Sequence, residues 1–210
     1  RHLDNRTSLI IDPPNGRRPP QTEAAQARAR DRFGAGRGRS DGPEDRGLGD
    51  RCLHFASPNM GSGYNSYFQL FQTPKQVTII QEMGHIVRTI PLDGRPHLDE
   101  KIPQWTGNAR GRWEGDTLVV ETRNYEPRSR YSGASESLVL VERFTRLAPT
   151  VLRQEITLRD PDTWTAPWTV ELLLDQSQAA IFEYACHEGN YALPGILGGA
   201  RAEERAAEGR

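Results

Sequence analysis

From about Thr73 to Glu188 the hydrophobic and polar positions alternate in short runs broken by turn residues, the mark of antiparallel β-strands. The runs fall at residues 67–72, 77–82, 85–90, 117–122, 137–146, 150–159, 168–174 and 180–186. Met83-Gly84 and Leu147-Ala148-Pro149 are connections of hairpin length, and Trp113 leads through Glu114-Gly115-Asp116, where Gly115 suits a left-handed turn position, into the run at 117–122. No helical period intervenes, so the pattern predicts a mainly β meander that closes into a single small barrel.

The flanks read differently. Residues 6–11 predict a short strand stopped by Asp12-Pro13-Pro14-Asn15-Gly16. Thr22 is placed to cap a short helix over 23–33, ended by Gly34, and a Gly/Arg/Asp linker follows. A compact restart is expected at residues 52–55, with a Gly-rich loop over 59–65, and a short polar helix is expected after Gly198. This divides the chain into an arm over 1–50, a β domain over 51–197 and a tail over 198–210.

Composition removes several function classes. Of the 210 residues 35% are hydrophobic, and the shortfall lies in the two flanks rather than in the β region. With 27 basic and 28 acidic residues the net charge is −1, which gives no electrostatic case for nucleic acid. No apolar run reaches transmembrane length. Nothing matches a P-loop, a dinucleotide fingerprint or Gly-x-Ser-x-Gly, so no nucleotide cofactor is expected. The two cysteines, Cys52 and Cys186, bracket the β region. A disulfide between them would close a loop of about 135 residues, worth roughly 5 kcal/mol in the chain-entropy model. Two buried free thiols fit the spacing as well.

Candidate chemistry gathers near strand ends. Across a two-residue Met83-Gly84 turn, Glu82 and His85 would sit opposite one another, and a carboxylate beside an imidazole raises its basicity. The plain alternative is an exposed pair at a hairpin tip. His187 ends the last predicted strand and is the inward candidate if Cys186 is bonded away from the lumen. With Glu82 and His85 it completes an acid–base set. Arg95, after the Asp93-Gly94 turn, either braces that turn or anchors an anionic group beside His97. Trp113 and Trp168 fit core packing, or stacking against a ligand. His85, His97 and His187 together would suit zinc, iron or copper, although no His-x-His or His-x-x-x-His spacing singles them out.

Five segments carry a resemblance: Arg6 to Pro14, Ile90 to His97, Gly111 to Thr122, Asp160-Pro161 with Pro167-Trp168-Thr169, and Glu183 to Tyr191. They resemble a large family of exported bacterial proteins, most of them uncharacterised. The resemblance implies a cleaved signal peptide, a further N-terminal segment with a Gly-x-Trp strand, and a lipocalin-like barrel. It also implies a periplasmic or extracellular setting, in which Cys52–Cys186 is a disulfide. The resulting expectation is an exported lyase, isomerase or hydrolase acting on a small organic molecule, with a divalent metal as a possible aid and a homo-oligomer as a possible state. The rival is a non-catalytic carrier of an apolar or aromatic ligand, and a filled structural or adhesive domain is the third reading.

Overall fold

The computed structural model describes residues 6–34, 40–53, 60, 64–129 and 131–209. The compact restart at 52–55 and the Gly-rich loop therefore fall largely outside the described residues, as does the middle of the Arg/Gly linker. Among these residues nine strands form two antiparallel sheets. The larger contains β1 (Ile10–Asp12), β5 (Asn108–Glu114), β6 (Thr117–Arg123), β7 (Val139–Ala148), β8 (Val151–Arg159) and β9 (Trp168–Asp175), in the order β1-β9-β8-β7-β6-β5. The smaller contains β2 (Phe68–Gln72), β3 (Gln76–Gln81) and β4 (Val87–Pro91) in sequence order. Helix α1 (Glu23–Gly34) precedes the strands that follow β1, and α2 (Ala192–Glu208) ends the chain.

The expected mainly β, antiparallel architecture is present as two sheets, and among the described residues no ladder joins them. They meet face to face. Val77, Ile79 and Ile90 of the small sheet pack with Ala109, Leu118, Val120 and Phe144 of the large one. The rest of the large sheet's inner face is covered by Tyr125, Leu138, Trp164 and Trp168. Where β4 passes over β5, Gly111 leaves no room for more: a Cβ there would lie 2.7 Å from side-chain atoms of Ile90 and Leu92.

One pair of side chains breaks the apolar pattern between the sheets. Arg88 on β4 points where Ile86 and Ile90 point, and Glu142 on β7 points where Leu140 and Phe144 point; all six are buried. The two charges meet as a bidentate pair, with Arg88 Nη1 donating to Glu142 Oε1 at 3.1 Å and Nη2 donating to Oε2. Gln154 Nε2 donates to the same Oε1 at 3.0 Å, and Arg88 Nη2 reaches Thr122 Oγ1 at 3.4 Å.

Other departures have local causes. The predicted strand over 180–186 is absent; β1 takes the edge of β9 at Thr169 and Val170, and residues 180–185 join no ladder. Strand β5 begins at Asn108, well before Trp113, since Asn-Ala-Arg-Gly-Arg hides its apolar face behind alanine and glycine. Between β3 and β4 the connection is a single 3-10 turn, with Gly84 at φ 72° and His85 at φ 51°, rather than a two-residue turn. Helix α2 starts at Ala192, ahead of Gly198. Elsewhere the expectations hold: Thr22 Oγ1 accepts from the Ala25 amide at 3.1 Å to cap α1, and Gly115 takes the left-handed turn position at φ 58°.

The buried pair sets a testable cost. Glu142→Leu strands the Arg88 guanidinium and should lower unfolding free energy by about 3–5 kcal/mol. The double variant Arg88→Met/Glu142→Leu should recover most of that loss, read from urea midpoints at constant m-value.

Candidate functional site

Strand β5 presents Ala109 and Gly111 inward, so Asn108, Arg110 and Arg112 line the outer face. On β6 the outward neighbours are Arg123, opposite Asn108, and Glu121, opposite Arg110. The segment after β4 folds back over these two cross-strand pairs. Arg110 Nε pins it by donating to the carbonyls of Pro96 at 2.9 Å and Arg95 at 3.2 Å. That contact lays the half-buried His97 ring on the sheet.

Two hydrogen bonds and one close approach to a carboxylate decide what this ring can do. The Leu98 backbone N–H donates to Asn108 Oδ1 at 3.0 Å, which fixes that atom as an acceptor. His97 Nδ1 lies 3.1 Å from the same oxygen and must therefore carry the proton. When the ring is neutral its lone pair is consequently on Nε2, and Nε2 faces Glu121 Oε1 at 3.4 Å. Burial lowers the His97 pKa below the ordinary imidazole value, and Arg123 and Arg110 lower it further, against the pull of Asn108 and Glu121. Glu121 pulls weakly because its own charge is engaged: the Arg123 guanidinium hydrogen-bonds it and holds the carboxyl below its usual range. The outcome is an imidazole favoured in its neutral form, in one tautomer, with its unshared pair on Nε2 beside a carboxylate.

The other expected residues lie elsewhere. Glu82 is buried at 6% exposure while His85 is exposed, so they do not form a cross-strand pair; one Glu82 oxygen, Oε2, has no partner. His85 Nε2 accepts from the Tyr184 backbone N–H at 3.1 Å, which occupies the lone pair that a base would use. His187 is exposed in the turn over 186–189 instead of ending an inward-facing strand. Arg95 is an exposed brace, bonded to Asp93, whose carboxyl it lowers below the usual range.

Trp168 is 2% exposed and packs edge-on against Trp164 with ring centres 5.5 Å apart, so it serves the core rather than a ligand. Trp113, on the inner register at the end of β5, stays half exposed. The three histidines do not converge. Among the described residues no group of three or more His, Cys, Asp or Glu side chains is placed to hold a metal ion. Cys52 and Cys186 do form a disulfide, with Cα atoms 5.7 Å apart, and no helix among the described residues is long and apolar enough to cross a membrane.

Sequence reasoning missed Asn108 and Glu121. The available signal was the alternation of β5 and β6 itself, which puts Asn108, Arg110, Glu121 and Arg123 on one face once Gly111 is read as an inward position. The chain matches no family model, no curated protein and no solved structure.

The His97 setting fixes the sign of a pH effect. Because its folded pKa is depressed, the stability tied to neutral His97 is complete above the ordinary imidazole value of about 6.5. It declines as pH falls from there toward the lower folded value. Urea midpoints measured between neutral and mildly acid pH should show this decline, and His97→Gln should flatten it.

Proposed function

We propose that the protein is an exported β-domain enzyme that transfers a proton on a small anionic organic molecule, as a lyase, isomerase or hydrolase would, with His97 as the base. One observation carries the reading. Asn108 holds the His97 ring in the tautomer whose unshared pair lies on Nε2, beside the Glu121 carboxylate. A base works best when it is neutral at the working pH, and burial brings that about here.

Once Nε2 takes a proton from the substrate, Glu121 stabilises the imidazolium across 3.4 Å. The Asn108 bond keeps the ring from rotating away during the transfer. Arg110 and Arg123 lie close enough to His97 to lower its pKa, and Arg95 is carried on the same segment, a setting that suits a carboxylate or phosphate on the substrate. Among these three, Arg95 has the most exposed side chain, at 61%, and is the natural anchor.

Export fits the Cys52–Cys186 disulfide, which persists in oxidising compartments. A lipocalin-like wall fits the close approach of β4 to β5 at Gly111, while among the described residues no strand pairs with the outer edge of β2. The interior between the sheets is occupied by side chains, so this reading places the chemistry on the outer face.

The test is a turnover screen of small carboxylates and phosphate esters with the purified protein, read by mass spectrometry in deuterated water. A converted or deuterium-exchanged compound is expected. His97→Ala should lower its rate by about 100-fold or more, the usual share of a general base. Glu121→Gln should lower the rate less and shift its pH dependence. Undiminished turnover by both variants, with folding intact, would sink the assignment.

A further inference from the structure

A second feature lies at the β3–β4 turn and involves none of the residues of the His97 cluster. Leu53, Gly84, His85, Ile86, Trp105 and Thr106 line an open cleft of about 370 Å³. That volume falls in the range of small-molecule sites and is too small for a folded partner. Two of its walls are large apolar side chains left in water, Leu53 at 55% and Trp105 at 45% exposure. Such surface gains most from being covered when it sits in a concavity.

The walls are held from both sides. Leu53 follows Cys52, which the disulfide ties to Cys186. Across the cleft, the Tyr184 amide donates to His85 Nε2 at 3.1 Å. The same C-terminal segment thus fixes one wall by a covalent bond and the other by a hydrogen bond. Gly84 and His85 both take left-handed backbone conformations, at φ 72° and 51°. For His85 that conformation costs energy, and the hydrogen bond to Tyr184 helps to hold it.

The chemistry selects the occupant. With Nε2 already accepting, a neutral His85 can offer a ligand only its Nδ1–H, as a donor. Thr106 adds a hydroxyl. The remaining lining is the Trp105 indole, aliphatic side chain and backbone, and Arg128 lies 5.2 Å from the centre of the Trp105 ring. That guanidinium is bonded to Glu126 and brings no free charge to the site. We infer that this cleft is a binding site for a small, planar, uncharged molecule that is mostly apolar and carries one hydrogen-bond acceptor, such as a carbonyl, for His85.

Coumarin has these properties and serves as the probe. In ¹⁵N-labelled protein the Trp105 indole signal is identified by its loss in Trp105→Phe. Adding coumarin should move that signal and the Gly84 and Ile86 amides saturably, leaving Leu98 and Glu121 in place. His85→Ala removes one neutral hydrogen bond and should weaken binding about five-fold. Leu53→Asp, at an exposed position that leaves folding intact, should weaken it further. Absence of a saturable shift at Trp105 up to millimolar coumarin overturns the proposal, as does an undiminished affinity in both His85→Ala and Leu53→Asp. Neither result bears on turnover at His97.

Discussion

Arg88 and Glu142 are the constraint on which the arrangement of the two sheets depends. Each sits in a row of apolar side chains, and each would be a large penalty there alone. Paired, they satisfy one another in bidentate fashion, with Gln154 and Thr122 taking up two of the remaining contacts. The pair adds little net stability over a well-packed apolar substitute. Its effect is on choice of register. A slip of one residue in β4 would turn Arg88 to solvent and bring Val87 or Thr89 inward, leaving Glu142 buried and unpaired. A wrong register therefore costs several kcal/mol, which apolar packing alone would not impose.

From that fixed register the candidate base follows. Strand β4 leaves the interface at Pro91, and the backbone turns at Asp93-Gly94, with Gly94 at φ 72°. The returning segment then meets the outer face of β5, where the Arg110 side chain holds its carbonyls. Gly111 lets Ile90 and Leu92 pass closely enough for this short return to span from one face of the sheet to the other. The two polar assemblies share strand β6 and use its opposite faces. Thr122 turns inward toward Arg88, and Glu121, its neighbour, turns outward toward His97. The inner assembly is buried and neutralised, so it specifies structure. The outer one is half-buried, with the His97 lone pair on Nε2 beside Glu121, and it is where the proposed chemistry would act.

Much of this was legible in the sequence, and the misses have physical reasons. The strand signal located eight of the nine described strands because their apolar faces carry Val, Ile, Leu and Phe. It delayed β5, whose inner face is Ala109 and Gly111, residues that say nothing about burial. It extended a strand over 180–186 because the alternation of apolar residues does not tell whether a segment finds a partner strand. The opposite charges at Arg88 and Glu142 were visible too. Each stands in phase with buried apolar neighbours, and two such breaks of opposite sign in different strands point to a pair across the core. Cys52 and Cys186 were equally compatible with thiols on spacing alone, since spacing does not measure a Cα separation.

The choice between histidines shows where sequence stops. His85 and His97 both follow a glycine turn and both have a carboxylate within reach along the chain, so residue type favours neither. The structure separates them by one backbone amide each. The Tyr184 N–H points at His85 and consumes the only lone pair of its neutral ring. The Leu98 N–H points at Asn108, fixes that side chain as an acceptor, and so sends the His97 proton to Nδ1 and the lone pair to Nε2. Whether an imidazole is a base or a donor is thus decided by an N–H that carries no side-chain identity. Only the path of the backbone places it, and that path is set by β4 and the ion pair beneath it.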